Sequence, residues 1–499
     1  MSPQLEQIIT RAGELLHYDS TAPLIFNSGL FLFLFVAFLG VYLLLRRTTT
    51  LRILYVIAFS LYFYYKSSGI YFLLLIFASV SDYLIAHSIA RTKSAREKKR
   101  WVAASVVINL GMLGYFKYTN FFVEIANSLV GAGFLDFQNI FLPVGISFFV
   151  FQSMSYTIDV YRGVIKPLDR WIDYIFYLSF FPQLVAGPIV RAKDFIPQIR
   201  RSVEVTERMF GMAIGLIIIG LIKKAIISDY ISLNFVDRIF DEPGLYSGFE
   251  CLMGIYGYAL QIYCDFSGYS DMAIGIALLL GFRFPKNFDA PYKSATITEF
   301  WRRWHISLSS WLRDYLYISL GGNRKGKFRT YLNLLITMVL GGLWHGAAVR
   351  FVLWGALHGV ALALHKMWLA IIPWAKKGGN EMNPVSRLLG WFVTFHIVCL
   401  GWLLFRAEDM QTVQIMLHQI ANNFNPAIIP QVIEGYKVVM GLIVLGYVMH
   451  FIPAKIDDDM MSAVGSARFW WQVALLVLTA WCVMQTKSSD IQPFIYFQF

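Results

Sequence analysis

Long apolar runs separated by short, mostly basic connections set the pattern of this chain. Crossing about 30 Å of hydrocarbon takes about 20 apolar residues, and Leu24–Leu45 is the first run that qualifies. Others follow at Leu51–Tyr65, Tyr71–Ala90, Trp101–Lys117, Ile140–Thr157, Trp171–Ile189, Met209–Ile227, Glu250–Cys264, Tyr269–Phe282, Tyr331–Ala347, Phe351–Trp374, Leu388–Phe405, Tyr436–Ile452 and Phe469–Met484. The pattern predicts an all-α, polytopic integral membrane protein of about a dozen helices. The shorter runs read as re-entrant or shielded segments. Residues 1–23 carry Glu6, Arg11, Glu14 and Asp19 without an apolar core. They read as an amphipathic extension at the membrane surface rather than a cleavable signal. Residues 24–499 read as a single membrane domain, without repeat, low-complexity linker or soluble domain.

Composition agrees with the pattern. Hydrophobic residues make up 57% and charged residues 15%, with a mean hydropathy of +0.56. A globular domain is about 45–50% apolar and about 25% charged, so a soluble enzyme or a disordered scaffold fits poorly. The net charge of +12 sits between the apolar runs. Arg91 to Arg100 holds six basic residues, and further basic stretches run from Arg191 to Arg208 and from Asn323 to Arg329. The positive-inside rule places these loops on the cytoplasmic side, which accounts for the charge without nucleic acid. Cys251, Cys264, Cys399 and Cys482 are scattered and imply no disulfide framework.

Three segments could carry chemistry. The first is Thr296–Leu320, TITEFWRRWHISLSSWLRDYLYISL. On one continuous helix Trp301, Trp304, Leu308, Trp311, Leu312 and Tyr315 form an aromatic stripe, with His305 beside it and Arg302, Arg303, Arg313 and Asp314 mainly elsewhere. Either an aromatic-belt anchor or a buried helix turning its arginines to water or an anionic ligand fits this pattern. The second is Asn333–Val360, where His345 lies deep in an apolar run beside Gly341, Gly342, Trp344 and Gly346. A charged group at that depth costs on the order of 2.5–3.5 kcal/mol on insertion scales, and burial favours the neutral imidazole. A neutral imidazole can take a proton from a hydroxyl, as a general base for acyl transfer must; a hydrogen-bonded packing histidine is the alternative. His358 lies about 20 Å further along a continuous helix and about 220° around it, so it shares a site with His345 only if the helix breaks between them. The third is Tyr263–Asp271, YCDFSGYSD, which reads as a helix break lined with polar groups. Its Asp265 or Asp271 could orient a histidine, cap a helix end or pair with an arginine.

Absences narrow the chemistry. The chain has no G-x-S-x-G nucleophile elbow, no P-loop, and no H-E-x-x-H or C-x-x-C metal pattern. No metal and no permanently bound cofactor are expected.

Taken together, Phe180–Ile199, Tyr263–Tyr292, Phe300–Arg324 and Gly341–Gly359 resemble the membrane-bound O-acyltransferase (MBOAT) family. Within it they resemble the bacterial AlgI-like branch, related to the DltB-like D-alanyl transfer branch, and the motif core spans about residues 180–360. The resemblance implies a ring of tilted helices and re-entrant segments around a thinned centre, with a funnel from each side meeting at the active histidine. It places the family's invariant histidine on His345 and its second histidine on His305. It implies acetyl transfer from a cytoplasmic thioester, acetyl-CoA, toward O-acetylation of an exopolysaccharide or cell-wall polymer, with extracytoplasmic acetyl-accepting partner proteins, in the bacterial inner membrane. On this reading His345 is the catalytic base or acyl relay, and His305 hydrogen-bonds the thioester carbonyl or the developing oxyanion. Trp301, Trp304 and Trp344 wall the tunnel; Arg302, Arg303 and Asn323 face the donor; Asp265, Ser267, Ser270 and Asp271 are further tunnel candidates. D-alanyl transfer from a carrier protein is one alternative. A proton-coupled transporter or flippase using His345 and Asp265 is another.

Overall fold

The structure, a computed structural model, describes residues 13, 16–19, 23–131, 133–371, 383–486 and 494. Among them every regular element is helical, as hydrocarbon requires of a backbone that must satisfy its own hydrogen bonds. The surface extension expected over residues 1–23 lies mostly outside the described residues. By length and composition five helical segments can cross a bilayer: Gly29–Arg47, Thr49–Arg91, Glu207–Asp241, Val349–Ile371 and Pro384–Arg406. Two sharply bent pairs raise the number to seven if each counts as one span, Pro426–Gly435 with Lys437–Phe451 (91°) and Ala454–Ser466 with Phe469–Gln485 (115°).

That is fewer than the apolar runs suggest, and the causes are local. Thr49–Arg91, at 43 residues, joins two runs across Gly69, whose φ of 57° is the left-handed conformation glycine adopts without strain. The run Trp171–Ile189 stops at Ser179, where Phe180 (φ −54°, ψ 109°) leaves helical space. The runs Glu250–Cys264 and Tyr269–Phe282 merge into one helix, Gly248–Leu279.

The described residues group into two compact units. The first comprises residues up to Thr206 together with Ile276–Phe284. Its helices include α1 (Gly29–Leu44), α2 (Thr49–Ser68), α3 (Phe72–Arg91), α4 (Ala95–Leu113), α5 (Ile146–Tyr161) and α6 (Trp171–Ser179). Phe31, Phe35, Phe38, Phe63 and Phe181 form a continuous ring cluster at its centre. Buried Arg52 at the start of α2 fixes the basic segment after residue 198, donating to the carbonyls of Ile199 and Arg201 at 3.1 Å each.

One polar knot crosses this apolar interior. Asp82 of α3 accepts from Ser105 Oγ (2.6 Å) and Asn109 Nδ2 (2.7 Å) of α4 and from Ser153 Oγ (2.5 Å) of α5. Ser153 in turn meets the Tyr174 hydroxyl of α6 at 2.9 Å. A carboxylate that receives several neutral donors at once ties four helices together. Asp82→Asn places an amide donor where only donors converge, and it should cost about 1–3 kcal/mol for the group left unsatisfied. The check is the thermal midpoint of the detergent-solubilised protein; an unchanged midpoint would show that the knot does not hold the unit together.

The second unit comprises Glu207–Gly275 and Pro285–Ser488. Here α7 (Glu207–Leu221) continues through wide π-type turns over Ile222–Ser228. It packs against α8 (Gly248–Leu279), which opens on a reciprocal cap. Ser247 Oγ accepts the Glu250 N–H while the Glu250 carboxylate accepts the Ser247 N–H. A Cβ on Gly220 would stand 2.6 Å from the Gly268 carbonyl and one on Gly268 2.7 Å from the Gly220 carbonyl, so the two backbones nearly touch. The polar residues of YCDFSGYSD therefore do not break α8. Its two carboxylates are satisfied sideways: Asp265 pairs with Lys224 at 2.5 Å and Asp271 with Lys223 at 2.8 Å.

Candidate functional site

All the candidate chemistry lies in the second unit, around a crossing that the aromatic stripe of Thr296–Leu320 conceals. That segment breaks into α9 (Ile297–Arg303) and α10 (Ile306–Trp311), the latter continuing through π-type turns over Leu312–Tyr317, and is not one continuous helix. Helix α9 starts where Thr296 Oγ1 accepts the Glu299 N–H at 3.1 Å. It ends because Trp304 is extended and His305 is left-handed, φ 41° and ψ 57°. His305 and Ala290 are the only described non-glycine residues at positive φ, a conformation with a cost of order 1–3 kcal/mol that surrounding structure must hold. The holding segment is Asn287–Asp289. Ile306 N–H donates to the Asn287 carbonyl at 2.8 Å and Asp289 N–H to the Arg303 carbonyl at 2.9 Å, replacing the hydrogen bonds a continuous helix would make.

His305 is fully buried. Its Nδ1 lies 3.2 Å from Asn287 Oδ1, which also accepts from Ser307 N–H (3.2 Å) and Ser307 Oγ (2.8 Å). Asn287 Nδ2 donates to Ser270 Oγ of α8 at 3.1 Å. Around the imidazole stand the rings of Phe266, edge-on at 4.6 Å, and of Phe288 and Trp344, at 6.2 and 6.3 Å.

His345 is the last residue of α11 (Lys327–His345), only 3% exposed. The helix stops because Gly346 is extended (φ −159°, ψ 149°), and α12 (Val349–Ile371) starts three residues later. The two helices are clamped face to face by small residues: a Cβ on Gly342 would collide with the Phe351 carbonyl and one on Gly355 with the Met338 carbonyl. Rings of Trp344 (5.0 Å), Trp354 (5.0 Å) and Phe405 (5.3 Å) enclose the His345 imidazole. Trp344 thus contacts both His305 and His345.

The break at Gly346 supplies what His358 needs to approach the same region. Its ring lies 4.8 Å from Trp354 and 5.1 Å from Trp301, and parallel to Phe300 at 6.2 Å. Trp354 therefore bridges His345 and His358. Arg350 holds the start of α12 against the end of α13 (Pro384–Arg406) by donating to the Ala407 carbonyl, which keeps Phe405 against His345.

The structure sorts the remaining candidates. Ser270 joins His305 through Asn287, and Trp301 joins through His358 and Trp354. Trp304 packs on Trp402 (4.8 Å) and Phe288 (5.1 Å), behind His305. Ser267 is buried on α8. Asp265 and Asp271 are committed to Lys224 and Lys223 rather than to a histidine, a helix end or an arginine. Arg303 is held by Glu299 (2.9 Å) and Asp289 (3.4 Å). Lys286 also bonds Asp289 at 2.7 Å and, as the largest cause, holds that carboxyl below the ordinary carboxylate range. Arg302 and Asn323 are exposed, as are Arg324, Lys325, Lys327 and Arg329. Sequence reasoning missed Asn287, Trp354 and the Lys223–Lys224 pair. Asn287 gave no local signal, because its partners are 17 to 20 residues away in the chain.

Comparison with known proteins adds an independent line. The sequence profile of the membrane-bound O-acyltransferase family matches residues 170–405, a range that includes both site histidines. The chain is 43% identical over 395 residues to "Probable alginate O-acetylase AlgI" of Pseudomonas aeruginosa, covering 78% of this chain and 73% of that one. It is 37% identical over 507 residues to the protein of the same name from Pseudomonas putida, covering 95% of this chain and 100% of that one. It is 36% identical over 419 residues to "Peptidoglycan O-acetyltransferase" of Helicobacter pylori, covering 78% of each.

Proposed function

The chain belongs to the membrane-bound O-acyltransferase family, and from that premise we propose that it carries acetyl groups from a cytoplasmic thioester, acetyl-CoA, to extracytoplasmic acceptors that O-acetylate an exopolysaccharide or cell-wall polymer. It is a multi-pass membrane enzyme, an acyltransferase; its place in this reading is the bacterial cytoplasmic membrane. The observation that carries the reading is the pair of buried histidines, His305 and His345, set against one tryptophan, Trp344. Relatives are named for O-acetylation of alginate and of peptidoglycan, both carbohydrate-containing polymers, which supports a sugar hydroxyl as the final acceptor.

The chemistry follows from the residues. An acyl acceptor hydroxyl gives its proton to an imidazole while its oxygen bonds to the thioester carbonyl carbon. The carbon–sulfur bond breaks, and the leaving thiolate takes the proton. His345 either takes that proton or carries the acetyl group itself as an acyl-histidine. The surrounding rings of Trp344, Trp354 and Phe405 exclude water, which would otherwise hydrolyse the thioester. Exposed Arg302 and the basic stretch around Asn323 offer cations to the donor's phosphates.

The test supplies membranes containing the protein with acetyl-CoA labelled in the acetyl group, or with a D-alanyl thioester on a carrier protein. Label is expected in extracytoplasmic polymer from acetyl-CoA alone. Transfer from the carrier alone would replace the donor with that of the D-alanyl branch, and transfer from neither would reject the donor class.

A further inference from the structure

A backbone amide fixes the proton inventory around His305. The Ser307 N–H can only donate, so the Asn287 side-chain atom it meets at 3.2 Å is the carboxamide oxygen. The opposite atom is then the NH₂ group, which donates to Ser270 Oγ at 3.1 Å. The Ser307 hydroxyl also spends its single proton on Asn287 Oδ1, at 2.8 Å against 3.4 Å to His305 Nδ1. His305 Nδ1, 3.2 Å from the same oxygen, therefore carries a hydrogen; a lone pair there would face the oxygen's own. A neutral imidazole has one N–H. With that hydrogen on Nδ1, Nε2 holds the lone pair.

We infer that Asn287 is the positioning residue of His305: it locks the ring in the Nδ1–H tautomer and leaves Nε2 as a proton acceptor. The consequence rests on the acyltransfer reading; the geometry does not. It revises the role that the family resemblance implies for His305, because a neutral ring held this way has no Nε2–H to give the thioester carbonyl or an oxyanion. In the transfer step Nε2 instead receives the acceptor's hydroxyl proton from His345 and returns it to the departing thiolate sulfur. The left-handed backbone at His305 belongs to the same device. With φ at 41°, both the Ile306 and Ser307 N–H groups reach Asn287, one on its main-chain oxygen and the other on its side-chain oxygen.

The experiment reads the tautomer first. Protein labelled with ¹⁵N-histidine in lipid nanodiscs, with the His305 signal identified by its loss in His305→Gln, is expected to show a protonated Nδ1 and a bare Nε2. A protonated Nε2 in the wild-type protein would overturn the inference. Asn287→Leu removes the acceptor at similar volume and should lower kcat by about 10–100-fold, the range known for metal-bound histidines that lose the partner fixing their tautomer, with KM for acetyl-CoA little changed. Asn287→Asp keeps the accepting oxygen and should recover most of that loss. A fall confined to KM, or an aspartate no better than leucine, would show that Asn287 only supports the fold. Wild-type protein with the Nδ1–H tautomer but without acyl transfer would defeat the functional reading and leave this assignment standing.

Discussion

Replacing His345 by alanine is expected to lower acyl transfer per molecule of membrane protein by about 10²–10⁴-fold, the range that a positioned general base supplies. The side chain ends where such a base must stand. His345 closes α11, and Gly346 turns away at once, so the imidazole stands at a helix terminus between rings contributed by α12 and α13. The alanine variant also opens a gap among Trp344, Trp354 and Phe405. Aromatic pairs of this kind contribute about 0.5–1.5 kcal/mol beyond their burial, so some loss of stability is expected along with the loss of rate. His345→Phe separates the two. It refills the gap with a ring of similar size and restores stability while offering no nitrogen. Initial rates normalised to immunoblotted protein in the membrane decide between them. A phenylalanine variant that keeps the wild-type rate would remove His345 as both proton acceptor and acyl carrier.

His345 was legible from sequence because an ionisable residue in an apolar, glycine-flanked run is costly enough to need a reason. The geometry that surrounds it was not. The stripe from Trp301 to Tyr315 has helical spacing, and nothing within it announces that Trp304 and His305 leave helical space. The bonds that allow the break come from Asn287, 18 residues upstream of His305, and periodicity sees only neighbours three and four residues away. YCDFSGYSD failed in the opposite direction. Glycine and two carboxylates in an apolar run look like an interruption, yet α8 runs through them because lysines on the preceding helical segment neutralise both carboxylates. Lys223 and Lys224 lie inside the run Met209–Ile227 and were passed over in it. Both errors have one origin: polar groups in a membrane interior are satisfied by distant partners, and sequence pattern reports the demand but not the partner. His358 is the intermediate case. Helical arithmetic stated the condition for its joining His345, a break between them, and the structure meets it at Gly346.

Loss of Lys224 should be the most damaging single change outside the histidines. Its side chain is 3% exposed, and the ammonium bonds Asp265 at 2.5 Å, a side chain also 3% exposed, and Asp229 at 2.7 Å, which is 17% exposed. The three charges sit where α7, its π-type continuation and α8 come close enough for glycine backbones to touch, leaving little room for water. Removing one partner of a buried pair typically costs about 3–5 kcal/mol, because the charge left behind is neither solvated nor paired. Lys224→Met keeps the length of the side chain and deletes only the charge, so the expected result is a sharp drop in thermal midpoint and in recovered folded protein. Asp229 has partial access to solvent and can relax; Asp265 cannot. Lys224→Met combined with Asp265→Leu should therefore recover much of the loss, since replacing both members by apolar groups is often close to neutral. Unfolding midpoints of the two single variants and the double variant, measured in one detergent, give the coupling between the sites. Additive losses would mean that the two side chains do not share a buried charge, and the lateral pairing that lets α8 run unbroken would need another explanation.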